Sequence, residues 1–183
     1  MLYGQFFRQG SAYLCVPSAA APDAEVQGAS AMVETRSPGL LEQNMECKVK
    51  WSGDGMSFLA ETGSNHCVVM DGAPEAGGRN IAPRPMELLL AGTGGCTAYD
   101  VVLILKKGRQ AISGCEVSLQ AERAELDPRV FTRIHLHFRV SGKQLKPEAV
   151  ERAIQLSKEK YCSASIMLGK TAEITHDFEV IEV

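Results

Sequence analysis

From residue 45 onward, apolar and polar positions alternate along much of the chain, and the alternation predicts strands. In 46–51, apolar Cys47, Val49 and Trp51 alternate with charged Glu46, Lys48 and Lys50, the pattern of a half-buried strand. Segments 56–61 and 67–70 read as two more strands, with turn residues at 52–55 and 62–65 between them, so an antiparallel meander is expected. The stretch 71–83 is broken by Gly and Pro and reads as an exposed loop. The clearest alternation comes later: Cys115, Val117, Leu119 and Ala121 interleave with Glu116, Ser118, Gln120 and Glu122, and Ile134, Leu136 and Phe138 interleave with Arg133, His135, His137 and Arg139. A hairpin through Asp127-Pro128-Arg129 sets Glu122 opposite Arg133 and Glu116 opposite Arg139, which leaves opposite charges on one wet face. The other face belongs to the core.

Helical spacing replaces alternation in two places. Segment 85–107 is long and apolar, with Pro85 suited to the first turn, Lys106 and Lys107 to the negative end of the dipole, and Gly108 to the stop. Glu87 and Asp100 interrupt it, and Gly92, Gly94 and Gly95 thin it, so a helix buried in protein is expected rather than a membrane span. Each of those glycines costs about 1 kcal/mol of helix stability, which close approach by another backbone or subunit would compensate. Segment 146–161 places Val150, Ala153, Ile154, Ser157 and Tyr161 at helical spacing behind Pro147. A further helical turn at 163–168 and a closing strand within 171–183 complete an α+β domain. The domain spans 45–183. Residues 1–44 read as a mobile extension, because 18–43 is rich in Ala, Ser, Pro, Gly and Glu without lasting periodicity. Met45 is an alternative start. The apolar run 11–16 is cut short by Pro17, which argues against a secretory signal.

Composition narrows the function classes. The 183 residues fit one domain of ordinary size, and 19 Lys and Arg against 22 Asp and Glu leave a formal charge of −3. With no basic face and few aromatic residues, nucleic acid is not an expected partner, and no membrane partner is expected either. The six cysteines, Cys15, Cys47, Cys67, Cys96, Cys115 and Cys162, are scattered and form no CxxC, so neither a disulfide framework nor a zinc ribbon is indicated. A reducing cytoplasm fits best.

Candidate chemistry centres on two thiols. Cys96 lies within Gly94-Gly95-Cys96 on the long apolar segment, and Cys162 sits at or just past the end of the second helix. A buried cysteine commonly acts as a small hydrophobe, and a reactive one needs a cation, a helix end or polar donors to favour its thiolate. Arg79 and Arg84, in the loop feeding the helix, and Glu87 in its first turn are the candidates for supporting Cys96. His135 and His137 share a strand face, but Arg133 and Arg139 flank them and repel a cation, and His66-Cys67 and His176-Asp177 lack further ligands. No metal site is expected.

Pro85-Met86-Glu87-Leu88-Leu89-Leu90 followed by Gly94-Gly95-Cys96, together with Glu159-Lys160-Tyr161-Cys162-Ser163 after an amphipathic helix, resembles the OsmC/Ohr family of thiol-dependent peroxidases, and its YhfA-like branch most closely. The resemblance spans 45–183. It implies antiparallel sheets around a long central buried helix, in an intertwined homodimer whose active sites draw on both subunits. It also implies that Cys96 attacks an organic hydroperoxide and becomes a sulfenic acid, that Cys162 resolves it as a disulfide, and that an external dithiol restores the pair without metal or organic cofactor. The position ten residues before Cys96, acidic in the better-known members, is Met86 here, with Glu87 one residue later. That departure keeps a second reading open: a non-enzymatic protein of the same fold that binds an apolar or electrophilic small molecule.

Overall fold

The computed structural model describes residues 45–183, and the extension expected over 1–44 lies outside them. The chain divides into two compact units at Ala82 and Pro83.

The first unit is the expected meander. Strands β1 (Cys47–Trp51), β2 (Phe58–Thr62) and β3 (Cys67–Met70) pair antiparallel in that order, with Val49 opposite Ala60 and Leu59 opposite Val69. β1 departs from expectation, because all five of its residues are exposed rather than alternately buried. Among the described residues it is an edge strand paired only to β2, so alternation reports its pleat but none of them in this unit covers its apolar side. The loop after β3 is organised by Asp71, which is almost fully buried. One carboxylate oxygen accepts from the Ser57 hydroxyl (3.2 Å) and the Gly72 N–H (2.8 Å), and the other from the N–H groups of Arg79 (3.0 Å) and Ile81 (3.1 Å). The loop folds back so tightly that a Cβ on Gly78 would lie 2.0 Å from the Gly72 carbonyl oxygen.

The second unit carries the long helix α1 (Pro85–Lys107), the strands β4 (Ala111–Arg123) and β5 (Phe131–Lys143), the helices α2 (Pro147–Leu156) and α3 (Ser163–Leu168), and the strand β6 (Glu173–Glu182). β4 and β5 pair antiparallel in the expected register, with Glu122 opposite Arg133 and Glu116 opposite Arg139. β6 pairs with β5 in parallel, so this sheet is mixed and not purely antiparallel. The reason is the connection: α2 and α3 carry the chain back to the starting end of β5, as a parallel neighbour requires. β5 is central, and its Ile134, Leu136, Phe138 and Val140 are essentially fully buried against Val101 and Leu105 of α1 and Val150 and Ile154 of α2. On the opposite face His135 bonds Thr175 (2.9 Å), and the Asp177 carboxylate lies 3.5 Å from His135 and 2.5 Å from His137.

α1 is not buried all round. Its buried positions, Thr93, Gly94, Thr97, Val101 and Leu105, form one stripe at helical spacing, while Leu89, Tyr99 and Leu103 stand exposed. By length and composition α1 is apolar enough to cross a membrane. The glycine expectation divides the same way. A Cβ on Gly94 would lie 2.5 Å from Leu119 Cδ1, so this glycine lets α1 close onto β4, whereas Cβ atoms on Gly92 and Gly95 would meet nothing within 4 Å.

Candidate functional site

Cys96 and Asp100 leave α1 one turn apart, so both side chains lie on the same side of the helix. Cys162 reaches them from the other direction. After α2 the helix loosens into a π turn, Ser157–Tyr161, in which the Cys162 N–H donates to the Ser157 carbonyl (2.8 Å). The extra residue in that turn re-aims the chain, and Cys162 then caps the start of α3. The two sulfurs and a carboxylate oxygen of Asp100 all lie within 4.8 Å of one another.

Each group is held by named partners. The Cys162 sulfur accepts the Ser165 N–H (3.4 Å) and lies 3.3 Å from the Thr97 hydroxyl. Thr97 also donates to the Thr93 carbonyl (2.8 Å), and with one proton it serves either that carbonyl or the sulfur. When Cys162 is a thiol, its S–H donates to Thr97 while Thr97 keeps its bond to Thr93. The buried Ser157 ties two groups together: its hydroxyl donates to Asp100 Oδ2 (2.9 Å) and its carbonyl accepts from Cys162.

These surroundings separate the two thiols. Burial pushes Cys96 above the ordinary thiol range; an Ala164 backbone N–H works against this, while the neighbouring Cys162 and the Asp100 charge add to it. Cys162 is held below that range: burial opposes ionisation, but donors from Ser165, Thr97 and Cys96 outweigh it. Of the two thiols, Cys96 is therefore the harder to ionise and Cys162 the easier. Exposure runs the other way, since Cys162 is 0% exposed and Cys96 is partly accessible. On the core side, Thr97, Ser165, Lys158 and His176 border a cavity of about 10 Å³, room for about one water molecule.

The structure thus brings Cys96 and Cys162 together. It does not bring Arg84 or Glu87 to them: the Glu87 carboxylate accepts the Arg84 N–H (2.9 Å) and caps the first turn of α1, about 14 Å along the axis from Cys96. Arg79 belongs to the first unit, where it pairs with Asp54 (2.9 Å). Met86, at the position ten residues before Cys96, packs against the apolar core. Sequence reasoning missed Asp100, Ser157, Thr97 and Ser165. For Asp100 the signal was present, since an acid four residues after a cysteine on one helix must share its side.

Residues 77–177 match the OsmC-like protein family. The protein YhfA of Escherichia coli K12 is 52% identical over 137 residues, which cover 75% of this chain and 98% of YhfA. A hypothetical protein from Aquifex aeolicus VF5, 29% identical, superposes with a TM-score of 0.66 over 75% of this chain and 96% of its own. An organic hydroperoxide resistance protein from Elizabethkingia anophelis, 16% identical, shares the fold with a TM-score of 0.54 over 76% of this chain and 96% of its own. With residues 77–177 matched by the family and YhfA 52% identical over most of the chain, the chain belongs to the OsmC-like family, on the branch that contains YhfA.

Proposed function

We propose that this chain is a thiol-dependent peroxidase that reduces small organic hydroperoxides as a cytoplasmic homodimer. The observation that carries the reading is the thiol pair itself: two sulfurs within 4.8 Å, one partly accessible and one fully buried. A hydroperoxide reaches Cys96 and not Cys162. Cys96 gives up its proton as it attacks the O–O bond, that proton goes to the leaving alkoxide, which departs as the alcohol, and Cys96 becomes a sulfenic acid. The Cys162 thiol then displaces water from that sulfenic acid and closes a disulfide, which needs only a short approach of the sulfurs. An external dithiol returns the pair to the reduced state.

The surroundings of Cys96 support a dimer. At about 100° per residue, Leu89, Gly92, Tyr99 and Leu103 all fall within about 60° of Cys96 around α1. Leu89 is 51% exposed and Tyr99 69%, so an apolar face without cover among the described residues runs past the accessible thiol. A second chain laid on this face supplies the walls of a substrate pocket, which the water-sized cavity bordered by Thr97 and Ser165 does not.

The test is brief exposure of the reduced chain to tert-butyl hydroperoxide followed by peptide mass spectrometry. A Cys96–Cys162 disulfide with release of one alcohol per disulfide is expected. Absence of that bridge, or hydroperoxide turnover that survives Cys96→Ser, overturns the proposal.

Two observations favour a second reading, a small-molecule-binding protein of this fold. Neither thiol is shifted by a cation, and Met86 packs inward at the position where an acid is expected. An inert Cys96 in the folded protein, with an apolar ligand bound at the same face, is the outcome that reading requires.

A further inference from the structure

Among the described residues, Cys96, Asp100 and Cys162 form the only cluster with the donor atoms of a metal site. We infer that in the reduced protein this triad binds a single zinc ion, through the two sulfurs and one Asp100 oxygen, with the fourth position open to water. The argument is geometric first. Tetrahedral zinc with bonds of about 2.3 Å to sulfur and about 2.0–2.2 Å to oxygen places its donors about 3.3–3.8 Å apart. The triad already lies within 4.8 Å, so a small closure completes it.

The supporting contacts are also those of a metal site. Ser157 holds Asp100 Oδ2 and leaves the other carboxylate oxygen free to ligate. The Ser165 N–H and the Thr97 hydroxyl engage the Cys162 sulfur, and such outer contacts orient ligands and tune them. Charge points the same way. Asp100 takes part in none of the ion pairs formed among the described residues, so a divalent cation would neutralise this carboxylate together with the thiolates that form as it binds. Sulfur donors with one carboxylate suit zinc over magnesium or calcium, which take oxygen. Binding displaces the thiol protons to solvent and involves no electron transfer. The bound metal occupies the lone pairs that attack a hydroperoxide, so the same residues serve two exclusive states.

The test uses the full reduced chain with Cys15, Cys47 and Cys67 changed to Ser, freed of metal by a chelator and titrated with cobalt(II) as a spectroscopic probe. One cobalt per chain is expected, with a thiolate-to-metal charge-transfer band and tetrahedral visible bands, displaced by one equivalent of zinc. Cys96→Ser and Asp100→Asn each weaken binding by about tenfold or more, and Cys115→Ser leaves it unchanged. Far-UV circular dichroism checks that the variants fold. Absence of the charge-transfer band in the parent chain, or its persistence at full strength in Cys96→Ser, overturns the inference. Peroxide-driven disulfide formation in a chain that binds no metal leaves the peroxidase reading standing alone.

Discussion

Ser157 illustrates how one residue couples the candidate site to its scaffold, because its hydroxyl orients Asp100 while its carbonyl fixes the backbone of Cys162. Ser157→Ala is expected to lower stability by about 1.5–3 kcal/mol, the worth of a hydrogen bond to a charged group, read from the urea midpoint. Asp71 makes a second prediction of this kind. Burial raises its pKa, but the N–H groups of Ile81, Gly72 and Arg79 and the Ser57 hydroxyl overcome that and hold it below its ordinary value of 3.8. A depressed folded-state value means that its contribution is complete above the ordinary value and is lost as pH falls through the folded one. Trp51, the one tryptophan in the chain, sits in the same unit and reports on it. Acid titration followed by its fluorescence is expected to show stability falling below pH 3.8, with a flatter acid slope and lower neutral stability in Asp71→Asn. The two thiols were legible as residues, since glycine neighbours and a helix end marked them. Asp71 was not, because a buried acceptor inside a Gly- and Pro-rich loop follows no period, and Ser157 was legible only as a buried helix position, not as the partner of Asp100.

The elements follow their signals closely where a local rule decides them. Pro85 begins α1, Lys106 and Lys107 close it, and the β4–β5 register follows from pairing opposite charges across a hairpin. What local rules leave undetermined is which neighbour an element meets. Alternation in β1 does not reveal that its apolar side is bare, and the pattern of β6 is the same whether it runs parallel or antiparallel to β5. Glycines show the same division. Gly142 reads as a weak spot in a strand, but a Cβ there would lie 2.3 Å from the Ala111 carbonyl oxygen across the ladder. A backbone oxygen held in a sheet cannot rotate away as the end of a side chain does. Gly142→Ala is therefore expected to destabilise the second unit by about 1–3 kcal/mol despite the better intrinsic propensity of alanine, as thermal unfolding would register.

For the whole molecule, the decisive question is what covers α1. The described residues leave Leu89, Tyr99 and Leu103 in water beside the accessible thiol, and Gly92 and Gly95 on that helix leave space into which a partner backbone can close. If the proposed dimer uses this face, a charge there faces desolvation against an apolar partner, which binding cannot compensate without an opposite charge. Leu103→Glu places such a charge one turn beyond Tyr99 and two turns beyond Cys96, without touching either thiol. Position 103 is 36% exposed before any partner arrives, so circular dichroism first checks that the variant folds. Sedimentation is expected to give half the wild-type mass for this variant, with unchanged circular dichroism and slower hydroperoxide consumption as the pocket loses its far wall. A wild-type chain that sediments as a monomer at micromolar concentration removes the dimer, and a variant that stays dimeric while losing no activity moves the interface away from α1.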